Sequence, residues 1–303
     1  MAVLDARIRR CVPALVTPCT ADGAPDLGSM RRLVRHVLDS GADAIVVLGS
    51  TGEFSLVPPR YRAEIITAAV SAAAGQPVVV GCGRPSIAET AHEIAEAAAA
   101  GASAALVTPS YYFPLAEEEV EAFFHDVAAR SPLPLLYYHY PEMTGARVSP
   151  ALIARLARSG VIAGIKDSGG DAAFFARVES LVDDDFRLFV GGSANLLGAL
   201  ALGADGVTGA LGNFANHLDR AVIDAFNAGD MKRAREAQAA VVATVDAVFF
   251  SLPRNAAATT KAILAELGIC GVATFAPIAA VTPAEADALR RVLPSLGLKA
   301  RAA

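Results

Sequence analysis

Short apolar runs recur along the chain, separated by longer stretches in which apolar positions return every three or four residues. The runs lie at 14–17, 44–48, 78–81, 104–108, 133–138, 161–166, 188–191 and 206–208, and are apolar almost throughout instead of alternating. Uninterrupted runs of this kind fit strands covered on both faces, the condition of a parallel sheet. The stretches at 27–40, 59–74, 86–100, 117–129, 150–158 and 171–181 read as amphipathic helices. One phrase marks the joints between the two patterns: Gly41-Ala42-Asp43-Ala44, Gly101-Ala102-Ser103-Ala104 and Gly203-Ala204-Asp205-Gly206. A glycine there supplies the left-handed turn that ends a helix, and the residues after it enter a buried strand.

Strict alternation of eight strands with helices over roughly 230 residues predicts a closed (β/α)8 TIM barrel. An open doubly wound sheet would carry Gly-x-Gly-x-x-Gly at its first turn, where this chain has Thr17-Pro18-Cys19-Thr20. Beyond the last strand, 218–228, 231–250, 256–267 and 283–293 read as helices with no further strand between them. The expected organisation is a catalytic barrel over 1–230 and a C-terminal helical extension over 231–303 packed on it.

Composition narrows the class. Hydrophobic residues make up 54% and charged residues 19% of 303 residues, far from the profile of a disordered chain. The net charge is −5, without a basic run that could follow a phosphate backbone, so nucleic acid is not an expected partner. No apolar run suits a bilayer span. The longest candidate, 188–204, is broken by Gly191, Gly192, Ser193 and Asn195 and reads as strand, turn and helix. Charged residues at Asp5, Arg7, Arg9 and Arg10, with Pro13 and Pro18 behind them, do not form a secretory signal, and a cytoplasmic location is expected. Cys11, Cys19, Cys82 and Cys270 have no Cys-x-x-Cys or histidine spacing, so neither a metal site nor a disulfide framework is expected.

In a barrel the chemistry lies at the C-terminal ends of the strands. Strand two ends in Gly49-Ser50-Thr51-Gly52-Glu53, whose hydroxyls and backbone N–H groups could hold a carboxylate, although such a sequence is also ordinary turn chemistry. Strand four ends in Thr108-Pro109-Ser110-Tyr111-Tyr112 and strand five in Tyr137-Tyr138-His139-Tyr140-Pro141, which offer phenols at the barrel mouth. Strand six ends in Gly164-Ile165-Lys166-Asp167-Ser168. A lysine at the end of a buried run is placed where desolvation favours the neutral amine that Schiff-base chemistry needs, or else it snorkels outward or pairs with Asp167.

These segments, in this order, resemble the dihydrodipicolinate synthase / N-acetylneuraminate lyase superfamily of pyruvate-dependent class I aldolases, from Val12-Pro13-Ala14-Leu15-Val16-Thr17-Pro18 to the C-terminal helices. The resemblance implies a (β/α)8 barrel with a C-terminal helical region, a homotetramer built as a dimer of dimers, and no cofactor. It assigns the Schiff base to Lys166 and the proton-shuttling phenol to Tyr138. Tyr138-His139-Tyr140-Pro141 matches the family's Tyr-Asn-x-Pro motif, with His139 in place of the asparagine. By the same resemblance Thr51 binds the pyruvate carboxylate, Ser50 relays protons toward Tyr111, a neighbouring subunit supplies that tyrosine, and Val207 places a backbone carbonyl near the lysine.

Departures from the family pattern bear on the substrate. Met143 stands where the synthases carry the arginine for the carboxylate of aspartate semialdehyde, with Arg147 four residues further on as the nearest replacement. Gly192-Ser193-Ala194 stands where sialic acid lyases carry an Asp-Glu pair. The expected activity is a Schiff-base-forming lyase or aldolase that splits a 2-oxo acid into pyruvate and an aldehyde, for example a 2-keto-3-deoxy sugar acid or 4-hydroxy-2-oxoglutarate. The alternatives are 4-hydroxy-tetrahydrodipicolinate synthase and, from a different class, a catalytically silent keto-acid-binding protein.

Overall fold

The computed structural model describes residues 3–298 and shows a (β/α)8 TIM barrel followed by helices. The strands are β1 (Arg10–Cys11), β2 (Ile45–Val47), β3 (Val78–Gly81), β4 (Ala104–Val107), β5 (Leu135–His139), β6 (Gly164–Asp167), β7 (Arg187–Val190) and β8 (Gly206–Val207). All pair in parallel in the order β1-β8-β7-β6-β5-β4-β3-β2, and a parallel bridge between Ala14 and Val46 closes the ring.

The first strand begins earlier than its apolar run suggests. Arg10, Val12 and Ala14 donate backbone N–H groups to Asp205, Val207 and Gly209 on one side, so pairing with β8 is continuous from Arg10. On the other side Pro13 has no N–H to give, but its carbonyl accepts Val46 N–H, and Leu15 donates in turn to the Val46 carbonyl. The expected strand at 14–17 is the continuation of this ladder, in which Pro13 leaves a single donor missing.

Two layers of apolar side chains explain why the strands read as unbroken runs. One set, including Val12, Val46, Val79, Leu106, Leu136 and Phe189, fills the barrel, while residues between them such as Ile45, Val80, Val107 and Ile165 pack outward under the helices. Gly81 is required where the second turn crosses the third strand, because a Cβ there would sit 2.0 Å from the Leu48 carbonyl oxygen. Gly41, Gly101 and Gly203, the repeated joints, have φ of 92°, 91° and 91°, the left-handed conformation that their position demands.

The helices between strands are α1 (Leu27–Asp39), α2 (Arg62–Ala73), α3 (Ile87–Ala99), α4 (Glu117–Ala128), α5 (Pro141–Thr144), α6 (Pro150–Arg158), α7 (Ala172–Glu179) and α8 (Leu196–Ala201). After β8 come α9 (Gly212–Asn227), α10 (Met231–Val245), α11 (Ala256–Glu266) and α12 (Pro283–Val292). The stretch expected as one helix over 59–74 opens with a 3-10 turn at Pro59–Tyr61, and that over 231–250 changes to a π-helical turn at Asp246–Phe250. Gln238 of α10 reaches back to the barrel, donating to the carbonyls of Ser193 and Ala194 and accepting from Leu197 N–H. Among the described residues, no helix is long and apolar enough to cross a membrane.

Asp219 of α9 is fully buried, with only the Ser193 hydroxyl, at 3.1 Å, to stabilise its charge. Burial pushes its carboxyl up to about 7, which that one hydrogen bond only partly opposes. A carboxyl whose pKa is raised on folding supports the fold while protonated, and that support is lost as pH rises from about 4 through about 7. Asp219→Asn keeps an acceptor for Ser193 and cannot ionise. It should therefore be more stable than the parent at pH 8 by about 2–4 kcal/mol, with the advantage vanishing near pH 4. Urea unfolding at the two pH values measures this; a pH-independent difference would contradict it.

Candidate active site

Register places the reactive groups. Tyr138 of β5 lies directly beside Lys166 of β6, and both side chains point into the barrel. The next pair along, His139 and Asp167, points the other way because successive strand residues alternate. Lys166 is 4% exposed, and its Nζ lies 4.2 Å from the centroid of the Tyr138 ring. The Tyr138 hydroxyl is 3.4 Å from Ser50 Oγ. Burial raises the pKa of that phenol, but the charge of Lys166 and hydrogen bonds with Ser50, Ser168 and Lys166 outweigh it, so it ionises more readily than an ordinary tyrosine.

These groups face a cavity of about 880 Å³ at the C-terminal end of the barrel, which Thr51, Thr108 and Tyr111 also line. The turn that carries Ser50 and Thr51 is held in an uncommon shape, with φ of 54° at Leu48 and 57° at Glu53. Thr17 Oγ1 donates to the Gly52 carbonyl at 2.7 Å. Glu53 is buried under the turn, accepts the Phe275 N–H at 2.7 Å, and pairs with Lys261 of α11 at 2.5 Å. Strain at such a turn persists only where its surroundings over-determine it, and this buried pair ties it to the C-terminal helices.

The outward pair lies at the rim. Burial pushes the Asp167 carboxyl up to about 6, opposed by a hydrogen bond from Gly169 N–H, with Asp171 pushing it further up. Burial lowers His139 to about 4, helped by the charge of Arg147, so its imidazole is neutral at pH 7. His139 stacks on Phe174 at 4.4 Å between ring centroids, and its Nε2 stands 4.0 Å from Asp167 Oδ1.

Of the residues singled out in the sequence, Lys166, Tyr138, Ser50, Thr51 and Tyr111 meet at this cavity. Val207 does not. Its side chain packs in the outer apolar layer and its carbonyl already accepts Val12 N–H at 3.0 Å, because an inward-facing run of β8 has the opposite phase. Tyr111 is half-buried in the wall of its own chain's cavity, edge-on to Phe54, whereas Tyr112 next to it is 85% exposed with φ of 84°. Met143 lines the cavity, and Arg147 is exposed outside it. Ser193 turns away to Asp219. In the sequence Glu53 and Lys261 stood without a role, and Asp167 only as a pairing partner for Lys166. The one signal for the ion pair was a lysine within the otherwise uncharged stretch Ala256-Ala257-Ala258-Thr259-Thr260-Lys261-Ala262-Ile263-Leu264. Among the described residues, no group of three His, Cys, Asp or Glu side chains is arranged to hold a metal ion.

Comparison with known proteins places this geometry. Residues 7–296 match the profile of the Dihydrodipicolinate synthetase family. The chain is 31% identical over 288 residues to a 4-hydroxy-tetrahydrodipicolinate synthase of Syntrophus aciditrophicus, covering 95% of this chain and 98% of the relative. It is 33% identical over 291 residues to an uncharacterized DapA-like lyase of Halobacterium salinarum, covering 95% and 93%. Among solved structures, a prophage protein of the dihydrodipicolinic acid synthase family from E. coli K12, in complex with pyruvate, superposes with a TM-score of 0.88 at 27% identity, covering 96% and 99%.

The buried ion pair gives a direct test of how the turn is held. Lys261→Met leaves Glu53 charged and unpaired and should cost about 3–5 kcal/mol of stability by urea unfolding. The double variant Glu53→Gln with Lys261→Met should recover most of that loss. An equal loss in both would show that packing, not the stranded charge, sets the cost.

Proposed function

Since the chain belongs to the dihydrodipicolinate synthetase family, whose members are lyases and aldolases that use pyruvate, we propose that Lys166 forms a Schiff base with a 2-oxo acid and cleaves it to pyruvate and an aldehyde. The observation that carries this reading is the buried Lys166 amine 4.2 Å from the Tyr138 ring, with Ser50 against the phenol. The neutral amine adds to the C2 carbonyl, and loss of water gives a protonated imine conjugated to the scissile C3–C4 bond. Tyr138, as phenolate, takes the proton of the C4 hydroxyl. The C3–C4 electron pair moves into the iminium, giving an enamine and releasing the aldehyde. Protonation at C3 and addition of water then free pyruvate and return the amine.

Tyr138 suits this role because its proton is already labile and Ser50 offers a relay. Thr51 and the backbone of its turn hold the substrate carboxylate, as the resemblance implies. Tyr111 lines the same cavity, and its part in the relay, with the neighbouring subunit that the resemblance implies for it, belongs to the same proposal. The homotetramer implied by the resemblance belongs to the same proposal, with exposed Tyr112 and Phe113 as apolar surface for a second copy to cover. So does a cytoplasmic location. No part of the proposal uses Val207.

The synthase reading is favoured by the name of the Syntrophus relative. Met143 weighs against it. An apolar thioether at the cavity wall gives the second carboxylate of aspartate semialdehyde no charge-assisted partner, and Arg147 stands outside the cavity.

Exchange of the pyruvate methyl protons in D2O reports the enamine without any knowledge of the aldehyde. The parent enzyme should exchange them and Lys166→Ala should not. Tyr138→Phe should slow the exchange by about two to four orders of magnitude, the usual worth of a positioned acid–base group. Exchange retained by Lys166→Ala would refute the assignment; a loss under tenfold in Tyr138→Phe would reduce that phenol to packing.

A further inference from the structure

The phenol of Tyr111 is carried by a segment that the backbone does little to hold. Among the described residues, no backbone hydrogen bond involves positions 109–115, and Tyr112 within them has φ of 84°. The place of the phenol is therefore set by the side chains against it. One is Phe54, edge-on at 6.5 Å between ring centroids, which follows Glu53 in the turn that Lys261 ties down. The other is Arg84, from the loop between β3 and α3, which does not line the cavity.

Arg84 is pinned by its backbone and by its side chain. Its N–H donates to Thr90 Oγ1 at 3.0 Å, and its carbonyl accepts from the same hydroxyl at 3.1 Å. Its Nε donates to Glu93 Oε1 at 2.5 Å, while Arg62 Nη2 stands 2.9 Å from the other oxygen of Glu93 and donates to the Gly81 carbonyl at 2.7 Å. Thr90, Glu93 and Arg62 are all buried. A Cβ at Gly83 would sit 2.2 Å from Thr108 Oγ1, so the chain entering Arg84 runs directly against the start of the segment that carries Tyr111. The guanidinium carbon lies 5.7 Å from the Phe54 ring centroid, within reach of a cation–π contact. Burial works against its charge, but Glu93, by hydrogen bond and charge, and Tyr111, by charge and a side-chain hydrogen bond, outweigh it and hold the guanidinium above its usual range. A guanidinium only donates, so in that bond the phenolic oxygen accepts, and the phenol's own hydrogen is left to be given elsewhere.

We propose that Arg84 is a positioning residue: held by Glu93 and braced on Phe54, it fixes the Tyr111 phenol with its hydrogen turned to the relay that Tyr138 and Ser50 begin. The proposal rests on the Lys166 reading and on the place of Tyr111 in its relay. The hold lies within one chain and applies equally if the phenol serves a neighbouring subunit's cavity. Arg84 touches neither the substrate nor the reacting atoms, so its effect reaches turnover and leaves substrate binding alone.

Exchange of the pyruvate methyl protons in D2O, followed over pyruvate concentration, tests this without the aldehyde. Arg84→Met should lower the maximal exchange rate by at least about tenfold while KM for pyruvate stays within about twofold. A double-mutant cycle supplies the readout that a merely structural role would not move. In the Tyr111→Phe background, which has no phenolic oxygen to hold, Arg84→Met should cost almost nothing further. Arg84→Lys keeps a cation for Glu93 but loses the planar fork that serves Glu93 and Tyr111 together, and it carries the same cycle if the methionine variant does not fold. A loss of rate under about tenfold, a raised KM in place of a lowered rate, or losses that add in the double variant overturn the proposal. Tyr111→Phe as fast as the parent removes that phenol from the relay and the proposal with it, whereas absence of exchange in the parent refutes the Lys166 reading beneath both.

Discussion

The cavity depends on one pairing: Tyr138 of β5 stands in register with Lys166 of β6, so the phenol and the amine share the inner face of the barrel at the same height. A slip of one residue in either strand would send one of the two outward. The slip is opposed by the packing of both faces, with Leu136 and Tyr138 filling the interior while Tyr137 and Ile165 are buried beneath the helices. The apolar layers that fold the chain are therefore what sets the distance between its two most reactive groups. With those groups buried together, the charge of the lysine reaches the phenol through protein instead of water, which makes its influence on Tyr138 large.

The opposite wall is held by a different device. The turn carrying Ser50 and Thr51 has left-handed residues at both ends and would not keep its shape unaided. Glu53 and Lys261, both buried, join it to α11, and Phe275 N–H satisfies the other carboxylate oxygen. The C-terminal helices thus do more than cover the barrel, since one of them supplies the charge that fixes a wall of the cavity. Buried ion pairs are weak contributors to net stability but expensive to break, and here that rigidity falls on the turn facing the lysine.

Much of this was legible in the sequence because it depends on local pattern. The helix-ending glycines at 41, 101 and 203 and the unbroken apolar runs follow from backbone geometry and two-sided burial, and they marked the parallel barrel. Lys166, Tyr138 and the Ser50–Thr51 turn were visible as polar residues where apolar runs stop. What escaped was long-range or phase-dependent. Glu53 and Lys261 are 208 positions apart in the chain and meet only through the fold. Val207 was singled out for its backbone carbonyl, which in the structure accepts Val12 N–H in the ladder with β1, a pairing that composition does not reveal. The proline at position 13 hid the start of β1 by removing a donor without removing the strand.

Lys166 carries the covalent step of the proposed reaction, and reductive trapping reads that step itself. Borohydride added to the enzyme with pyruvate should leave one stable adduct per chain, with the mass of pyruvic acid less one water plus the pair of hydrogens added on reduction, on the peptide that contains Lys166. An adduct on any other lysine, or no adduct with the folded enzyme, would contradict it.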